Sequence, residues 1–425
     1  MLQVLGTIWA LLFGVVLIML GNGMQSTLMG VRGGIEGFST FELSVVTSAY
    51  FAGFLVGSRT ASVMIRKVGH VRVFAALGSF MSAGLIAFPL IAEPWAWTLL
   101  RVMLGFCLSG VYVSAESWLN NAATNRTRGT VLSAYMVAQT LGLVAAQGLV
   151  NVTDAAGFAP FALASILVSL SFAPILLSAQ PIPVAERIKP LTLRQLYDQS
   201  PLGTVGILLL GGVFAAQLGM ASVYGSTLGL SVARVTTFVA AIFTGSLLFQ
   251  VPVGWLSDMI DRRKLILGVA AIGAVACATP WMLGPAYPIL LASGFVMGGM
   301  ASPLYSLLVA YTNDYLDVDD MPAASGGLIF IYGLGAIVGP LATGQLMEIA
   351  GPEGFWAFLG LLFAAIAVYC AWRMTRREAP SVEESGSYVN LSPTASQVAV
   401  GAAQEWGYEQ AAEDTADDDP DAEPK

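Results

Sequence analysis

The chain has 425 residues, 56% hydrophobic and only 11% charged, with a formal net charge of −8 and a mean hydropathy of +0.73. Soluble domains carry about 25% charged residues, so this composition excludes a soluble globular protein. Continuous apolar stretches of roughly 20 residues, each able to cross a bilayer as a helix, point to many membrane spans and argue against a barrel of alternating strands.

In chain order, the first six spans are predicted near 6–30, 40–65, 71–92, 95–118, 129–153 and 157–179. The first run is too long for a signal segment and shows no convincing cleavage site, so it counts as a span. The segment "QPIPVAERIKPLTLRQLYDQSP" (180–201) is the only long polar interruption, and "LTLRQLYDQ" within it suits a short surface helix. Six further spans are predicted near 202–226, 234–257, 264–284, 287–311, 322–349 and 354–373. The expected organisation is therefore an N-terminal six-helix bundle (1–179), a cytoplasmic linker (180–201), a C-terminal six-helix bundle (202–373) and a tail (374–425). The tail is polar, contains proline and holds twelve acids against three bases. It is expected to be disordered, because it has too little apolar surface to offset the entropy of ordering.

Lysine and arginine settle the expected orientation. Arg66, Lys67, Arg72, Arg126, Arg128, Arg187, Lys189, Arg194, Arg262, Arg263, Lys264, Arg373, Arg376 and Arg377 fall on one side, against Arg32 and Arg234 on the other. Basic loops stay inside, which predicts a multi-pass protein with both termini cytoplasmic. Cys107, Cys277 and Cys370 all lie in spans without metal-ligand spacing and are expected as buried free thiols. His70, the single histidine, is expected in a loop. No metal, cofactor or nucleic-acid partner is expected, and no phosphate-binding G-x-x-x-x-G-K-[ST] loop occurs. Neither an enzyme nor a primary pump is predicted.

The two halves repeat one another. A shift of 192 residues superposes Gln25 on Gln217, Gly37 on Gly229, Ser39 on Ser231 and Gly53 on Gly245. A shift of 193 superposes Gly105 on Gly298, Ser109 on Ser302, Tyr112 on Tyr305, Asn120 on Asn313 and Gly142 on Gly335. The fold class is thus an all-α polytopic membrane protein, with twelve transmembrane helices in two pseudo-symmetric six-helix bundles.

The stretch "GWLSDMIDRRK" (254–264) packs five charges between apolar flanks. Gly254 and Ser257 allow close helix approach. Asp258 can accept from the N–H groups of a neighbouring helix end, and Asp261 can pair with Arg262 or Arg263. The cluster reads either as a latch that opens and closes one side, or as a turn of solvated charge that sets topology.

This stretch, placed after the second span of a duplicated six-helix unit, resembles the loop motif G-x-L-x-D-x-x-[GD]-R-[RK] of the major facilitator superfamily. Gly254, Leu256, Asp258, Asp261, Arg262 and Arg263 match it in order. The first-half copy, "SVMIRKVGHVR", is degenerate, with Ser62 at the glycine place and Arg66 at the aspartate place. The phrases "VGHVRVFAALGS", "AESWLN" and "TRGTVLSAYM" further resemble a YcaD-like bacterial branch of that superfamily. The resemblance covers residues 1 to about 375. It implies a monomeric secondary transporter of a bacterial inner membrane, moving a small organic solute by alternating access, with protons as the coupling ion. Gly335, Gly339 and Pro340 resemble a G-x-x-x-G-P signature that some exporters carry in the other half, which favours efflux slightly over uptake. The competing reading is a membrane receptor or assembly factor that signals through the acidic tail.

Span four carries the clearest constellation. Arg101, Gly105, Ser109, Tyr112 and Glu116 share one helical face. Arg101 and Glu116 stand about 22 Å apart along the helix, too far to pair. Arg101 is expected either to face the central cavity, gripping an anionic group or a carboxyl, or to serve packing. Glu116 is expected to pair with Arg59 or Arg66, as a static bridge or as a coupling group. Asn22 and Gln25 on span one are expected to face Gln217 and Tyr224 on span seven across a substrate site, the alternative being hydrogen bonds between helices. Tyr112, Gln139, Tyr305 and Tyr332 are further candidates. The other membrane carboxyls, Glu42, Glu348 and Glu36, lie away from the midplane of a cavity-lining span.

Overall fold

The computed structural model describes residues 2–124, 127–176, 192–316, 320–376, 388–396, 398–403 and 406. Six long helices form the first half: α1 (Leu2–Ile35), α2 (Thr40–Val68), α3 (His70–Ala87), α4 (Pro94–Ala122), α5 (Arg128–Val150) and α6 (Ala159–Leu176). A short helix, α7 (Leu193–Gln199), falls on the predicted surface helix. Six more long helices follow: α8 (Pro201–Thr227), α9 (Val232–Ser257), α10 (Arg262–Leu283), α11 (Tyr287–Asn313), α12 (Met321–Ala350) and α13 (Gly354–Met374). Among the described residues, eleven helices are long and apolar enough to cross a membrane. The remaining predicted span coincides with α6, which is apolar but shorter over its described part.

The repeated residues do the same work in each half. Gly37 and Gly229 end α1 and α8 at φ +79 and +69, a left-handed conformation that suits glycine. Two residues later Ser39 and Ser231 cap the next helix, Ser39 in a reciprocal box with Glu42. Glycines also set the crossings. A Cβ on Gly53 would meet the Val102 carbonyl oxygen at 1.9 Å, and one on its counterpart Gly245 would meet that of Phe295 at 1.9 Å. Gly142 is pressed in the same way against α1, and Gly335 against α8. Small residues thus let the helix backbones touch, as membrane packing requires. Helices α1, α2, α4 and α5 pair in the same pattern as α8, α9, α11 and α12.

We call the face carrying the start of α1 and the end of α13 the inner face. The halves meet toward the opposite, outer face. There Gly30 abuts Ser222 and Gly219 abuts Thr47. Ser26 Oγ donates to the Leu218 carbonyl at 3.0 Å, Phe41 N–H to Glu348 at 3.0 Å, and Asn151 Nδ2 to Thr236 Oγ1 at 2.8 Å.

Three expectations are corrected. His70 is not in a loop; it opens α3 and is buried. The tail is not disordered over 388–403, where Leu391, Ala395, Ala399, Val400 and Ala403 are buried. This stretch is the least acidic part of the tail, so it can bury apolar surface where the acidic remainder cannot. Asp258 does not meet a helix end; its carboxylate accepts the N–H of Tyr388, from the same tail, at 2.9 Å. Residues 377–387, 397, 404–405 and 407–425 of the tail and residues 180–191 of the linker lie outside the described residues.

Candidate functional site

A central cavity lies between the halves, lined by Met19, Asn22, Tyr50, Tyr112, Gln139, Phe214 and Ser302 among others. On its outer side Arg101 is 2% exposed. One of its terminal nitrogens donates to Gln25 Oε1, and its guanidinium carbon stands 4.6 Å from the centre of the Tyr50 ring. Among the described residues no carboxylate pairs with it, and its Nε has no partner. The Gln25 amide nitrogen and both amide atoms of Gln217 are likewise buried without partners. These two glutamines are the duplicate pair, and α1 touches α8 next to them through Ser26 and Leu218. Buried polar groups are normally satisfied, so a cation, the half-used amide of Gln25 and the unused amide of Gln217 mark a place suited to a polar ligand.

Tyr112 and Gln139 line the cavity, and the Tyr112 hydroxyl donates to Met19 Sδ at 3.2 Å. Tyr305 and Tyr332 meet edge to face at 5.6 Å with both hydroxyls unpartnered. Tyr224 departs from expectation. It stacks on Phe355 at 5.0 Å within an aromatic cluster that includes Phe238 and Trp356, away from the cavity lining. Its half of α8 turns toward α13, so aromatic packing takes the side chain that the pairing with Asn22 would have used.

Glu116 also departs from expectation. Arg59 lies over the Phe330 ring at 4.0 Å and Arg66 is exposed. Glu116, 1% exposed, instead accepts the Tyr135 hydroxyl at 2.9 Å and the Ser396 N–H at 2.7 Å. The other carboxyls have local duties: Glu36 pairs with Arg32, Glu42 caps α2, and Glu348 accepts from Phe41.

At the inner face, Asp261 caps α10 and binds Arg263 through 2.9 and 3.0 Å contacts. Burial works to raise the Asp261 carboxyl, but the Arg263 hydrogen bonds and the Arg263 and Lys264 charges outweigh it and hold the group below its usual range. Arg262 is buried against Asp314 at the end of α11 and also reaches Ser257 Oγ at 3.3 Å. Gly254 carries the Tyr388 ring, which a Cβ there would meet at 2.7 Å. Sequence reasoning missed Asp314, Tyr50 and Tyr135. Asp314 had a signal, an acid just past a span end opposite the basic loop, and Tyr135 sits in the quoted "TRGTVLSAYM".

A duplicated all-α bundle around a central cavity of mixed polar and apolar lining is the architecture of a membrane transporter. The family model described as Major Facilitator Superfamily matches residues 11–241 and 202–402, and the chain belongs to that superfamily. The chain is 27% identical over 345 residues to the uncharacterized MFS-type transporter YcaD of Escherichia fergusonii, covering 80% of this chain and 88% of that protein. It is 26% identical over 343 residues to YcaD of Escherichia coli, with the same coverage. Among solved structures it resembles the nucleoside transporter NupG, with a TM-score of 0.67, 16% identity, and coverage of 87% of this chain and 98% of that one. It also resembles a bacterial homolog of the human lysosomal transporter Spinster in an inward-facing conformation, with a TM-score of 0.66, 13% identity, and coverage of 94% and 97%. The chain is a multi-pass membrane transporter of a bacterial family, YcaD-like in sequence.

Proposed function

We propose that the protein carries a small organic solute bearing an anionic or strongly polar group, bound between Arg101, Gln25 and Gln217, by proton-coupled alternating access. The observation that supports this most is a buried arginine that, among the described residues, is held by an amide oxygen and an aromatic ring and by no carboxylate. A charge buried in a span without a carboxylate is costly and marks function by default, and its planar fork suits a carboxylate or phosphate. Gln139, Tyr112, Tyr305 and Tyr332 would supply the remaining polar contacts. Glu116, a membrane carboxyl contacted from α5 and from the tail, is the proposed proton site. Gly254, Asp258, Asp261, Arg262 and Arg263 would form the inner gate. Export is the proposed direction, on the resemblance of Gly335, Gly339 and Pro340 to an exporter signature. The same proposal takes the chain as a monomer with both termini cytoplasmic. The receptor reading is disfavoured because 388–403, part of its output element, is buried within the bundle.

The test is a panel of organic anions, cations and neutral solutes added to purified protein while unfolding temperature is followed, then flux into vesicles with and without a pH gradient. Stabilisation confined to anionic or strongly polar solutes is expected, together with flux that responds to the gradient. Stabilisation by apolar cations alone would overturn the assignment of the site.

A further inference from the structure

Residues 388–396, 398–403 and Trp406 form a hairpin across both halves. The inbound strand follows the C-terminal half. The Tyr388 ring lies on Gly254 and its N–H reaches Asp258, and Asn390 bonds Gln250 of α9. Ser306 Oγ of α11 donates to the Leu391 carbonyl at 3.2 Å and accepts its N–H at 2.9 Å. The chain turns at Pro393, where the Ala395 N–H reaches the Ser392 carbonyl at 2.9 Å, and Ser392, Pro393 and Thr394 line the central cavity. The outbound strand follows the N-terminal half. The Ser396 N–H meets Glu116 of α4, a helical turn buries Ala399, Val400 and Ala403, and the Trp406 ring covers Gly129 at the start of α5.

Two transmembrane side chains, Ser306 and Glu116, and Asp258 in the inner loop are matched here to backbone groups. Pairing of that kind selects an extended peptide and not a particular side chain. The space left in the cavity, about 40 Å³ open to the centre of a water molecule, holds a few waters.

We infer that the inner half of the cavity is a peptide-binding site whose ligand is the chain's own segment 388–403, a tethered plug. Seated, it fills the solute path and stands between α4 and α11, so the inner face cannot close. Solute arriving from the inner side must displace it, and the plug therefore sets a threshold concentration for transport. This inference uses the transport cavity described above, but its test reads accessibility and not flux, so failure of the substrate assignment would leave the result unchanged.

The first measurement uses the full chain with Gln250→Cys and Asn390→Cys, in membranes, with a protease site between Arg377 and Ser387. The three native cysteines are buried, and each single variant serves as control. A short bifunctional thiol reagent is expected to keep the tail attached after cleavage in the double variant alone. Release of the tail despite the reagent would overturn the inference.

The second measurement places Thr140→Cys in the cavity wall and follows its reaction with a maleimide. Ala399→Asp, in the same full chain, puts a charge on a buried tail position and leaves every transmembrane helix intact. Labelling is expected to speed up at least tenfold, the change produced by about 1.4 kcal/mol of lost docking. Equal rates with and without Ala399→Asp would show that the segment does not occlude the cavity, and would overturn the plug even if the cross-link forms.

Discussion

Replacing Arg101 by methionine separates a ligand-binding arginine from a structural brace. An arginine at the centre of a span costs about 2.5 to 3.5 kcal/mol on insertion, an upper figure for Arg101 in the outer part of α4. The hydrogen bond from its charged group to Gln25 offsets about 1.5 to 3 kcal/mol of this, and a desolvated cation over the Tyr50 ring offsets about 2. The terms nearly cancel. Methionine is unbranched and fills irregular space, so the main new cost is a Gln25 oxygen without its donor, about 1 to 3 kcal/mol. The net change is therefore expected to be a loss of about 1 to 3 kcal/mol of unfolding free energy. Solute affinity, by contrast, is expected to fall more than about 30-fold if the fork grips an anion, since a charged hydrogen-bonded pair carries 2 kcal/mol or more. Arg101→Lys keeps the charge without the fork and should retain part of the affinity. Thermal unfolding and solute titration of the purified variants measure both quantities. Affinity unchanged in Arg101→Met would mean that Arg101 does not face the solute. Loss of the folded protein from the membrane would make it a brace.

Asp314→Ala should destabilise the protein by up to about 3 to 5 kcal/mol because it takes the carboxylate away from the buried Arg262, whereas Arg262→Met combined with Asp314→Leu should cost less; denaturation of the two variants gives the comparison. Glu116→Gln keeps an acceptor for the Tyr135 hydroxyl and removes the titrating group, so counterflow of solute should survive while acceleration by a pH gradient disappears. A gradient response left intact would move the coupling site elsewhere. Asp258→Asn replaces a charge-assisted bond to the Tyr388 N–H with a neutral one of roughly half the strength, and should change the rate of cycling while leaving solute affinity at the wild-type value, as read by flux against equilibrium binding.

The spans and the duplication were legible because each rests on a local rule. Continuous apolar length marks a helix, and the paired Gly37–Ser39 and Gly229–Ser231 stop and start signals recur at a fixed shift. The stripe from Arg101 to Glu116 was legible for the same reason, being a matter of helical spacing. What each stripe residue touches was not legible, because partners come from elements far away in sequence. Glu116 was matched to arginines by charge alone, and two neutral donors from α5 and the tail take it instead. Tyr224 was read toward the axis from its neighbours on α8, and an aromatic cluster with α13 claims it. The tail misled because averaging over 374–425 merges an acidic stretch with the weakly charged "YVNLSPTASQVAVGAA" (388–403). Read in a window of its own length, that segment is apolar enough to be buried.

The degenerate first-half loop gives the buried tail its context. In the second half the inner motif is complete and internally paired, Arg262 with Asp314 and Asp261 with Arg263. Asp258 remains to face the Tyr388 N–H. In the first half Arg66 occupies the place where the motif calls for an acid, and its side chain is exposed. A symmetric pair of loop latches is thus missing its N-terminal member. Glu116, on α4, supplies an acceptor to that half, and its partner is the Ser396 N–H of the same hairpin that meets Asp258. On the inference drawn above, the hairpin joins one acid in each half and bridges the inner face where the loop cannot. Its two contacts are backbone N–H groups, so substitution of tail side chains leaves both donors in place. A proline at position 396 removes the donor to Glu116, and is expected to free the N-terminal half while Tyr388 stays on Asp258. Labelling of Thr140→Cys should then rise in Ser396→Pro, and the Gln250→Cys to Asn390→Cys cross-link should persist. Loss of the cross-link together with increased labelling would instead show that the hairpin docks as one unit, with no independent hold on either half.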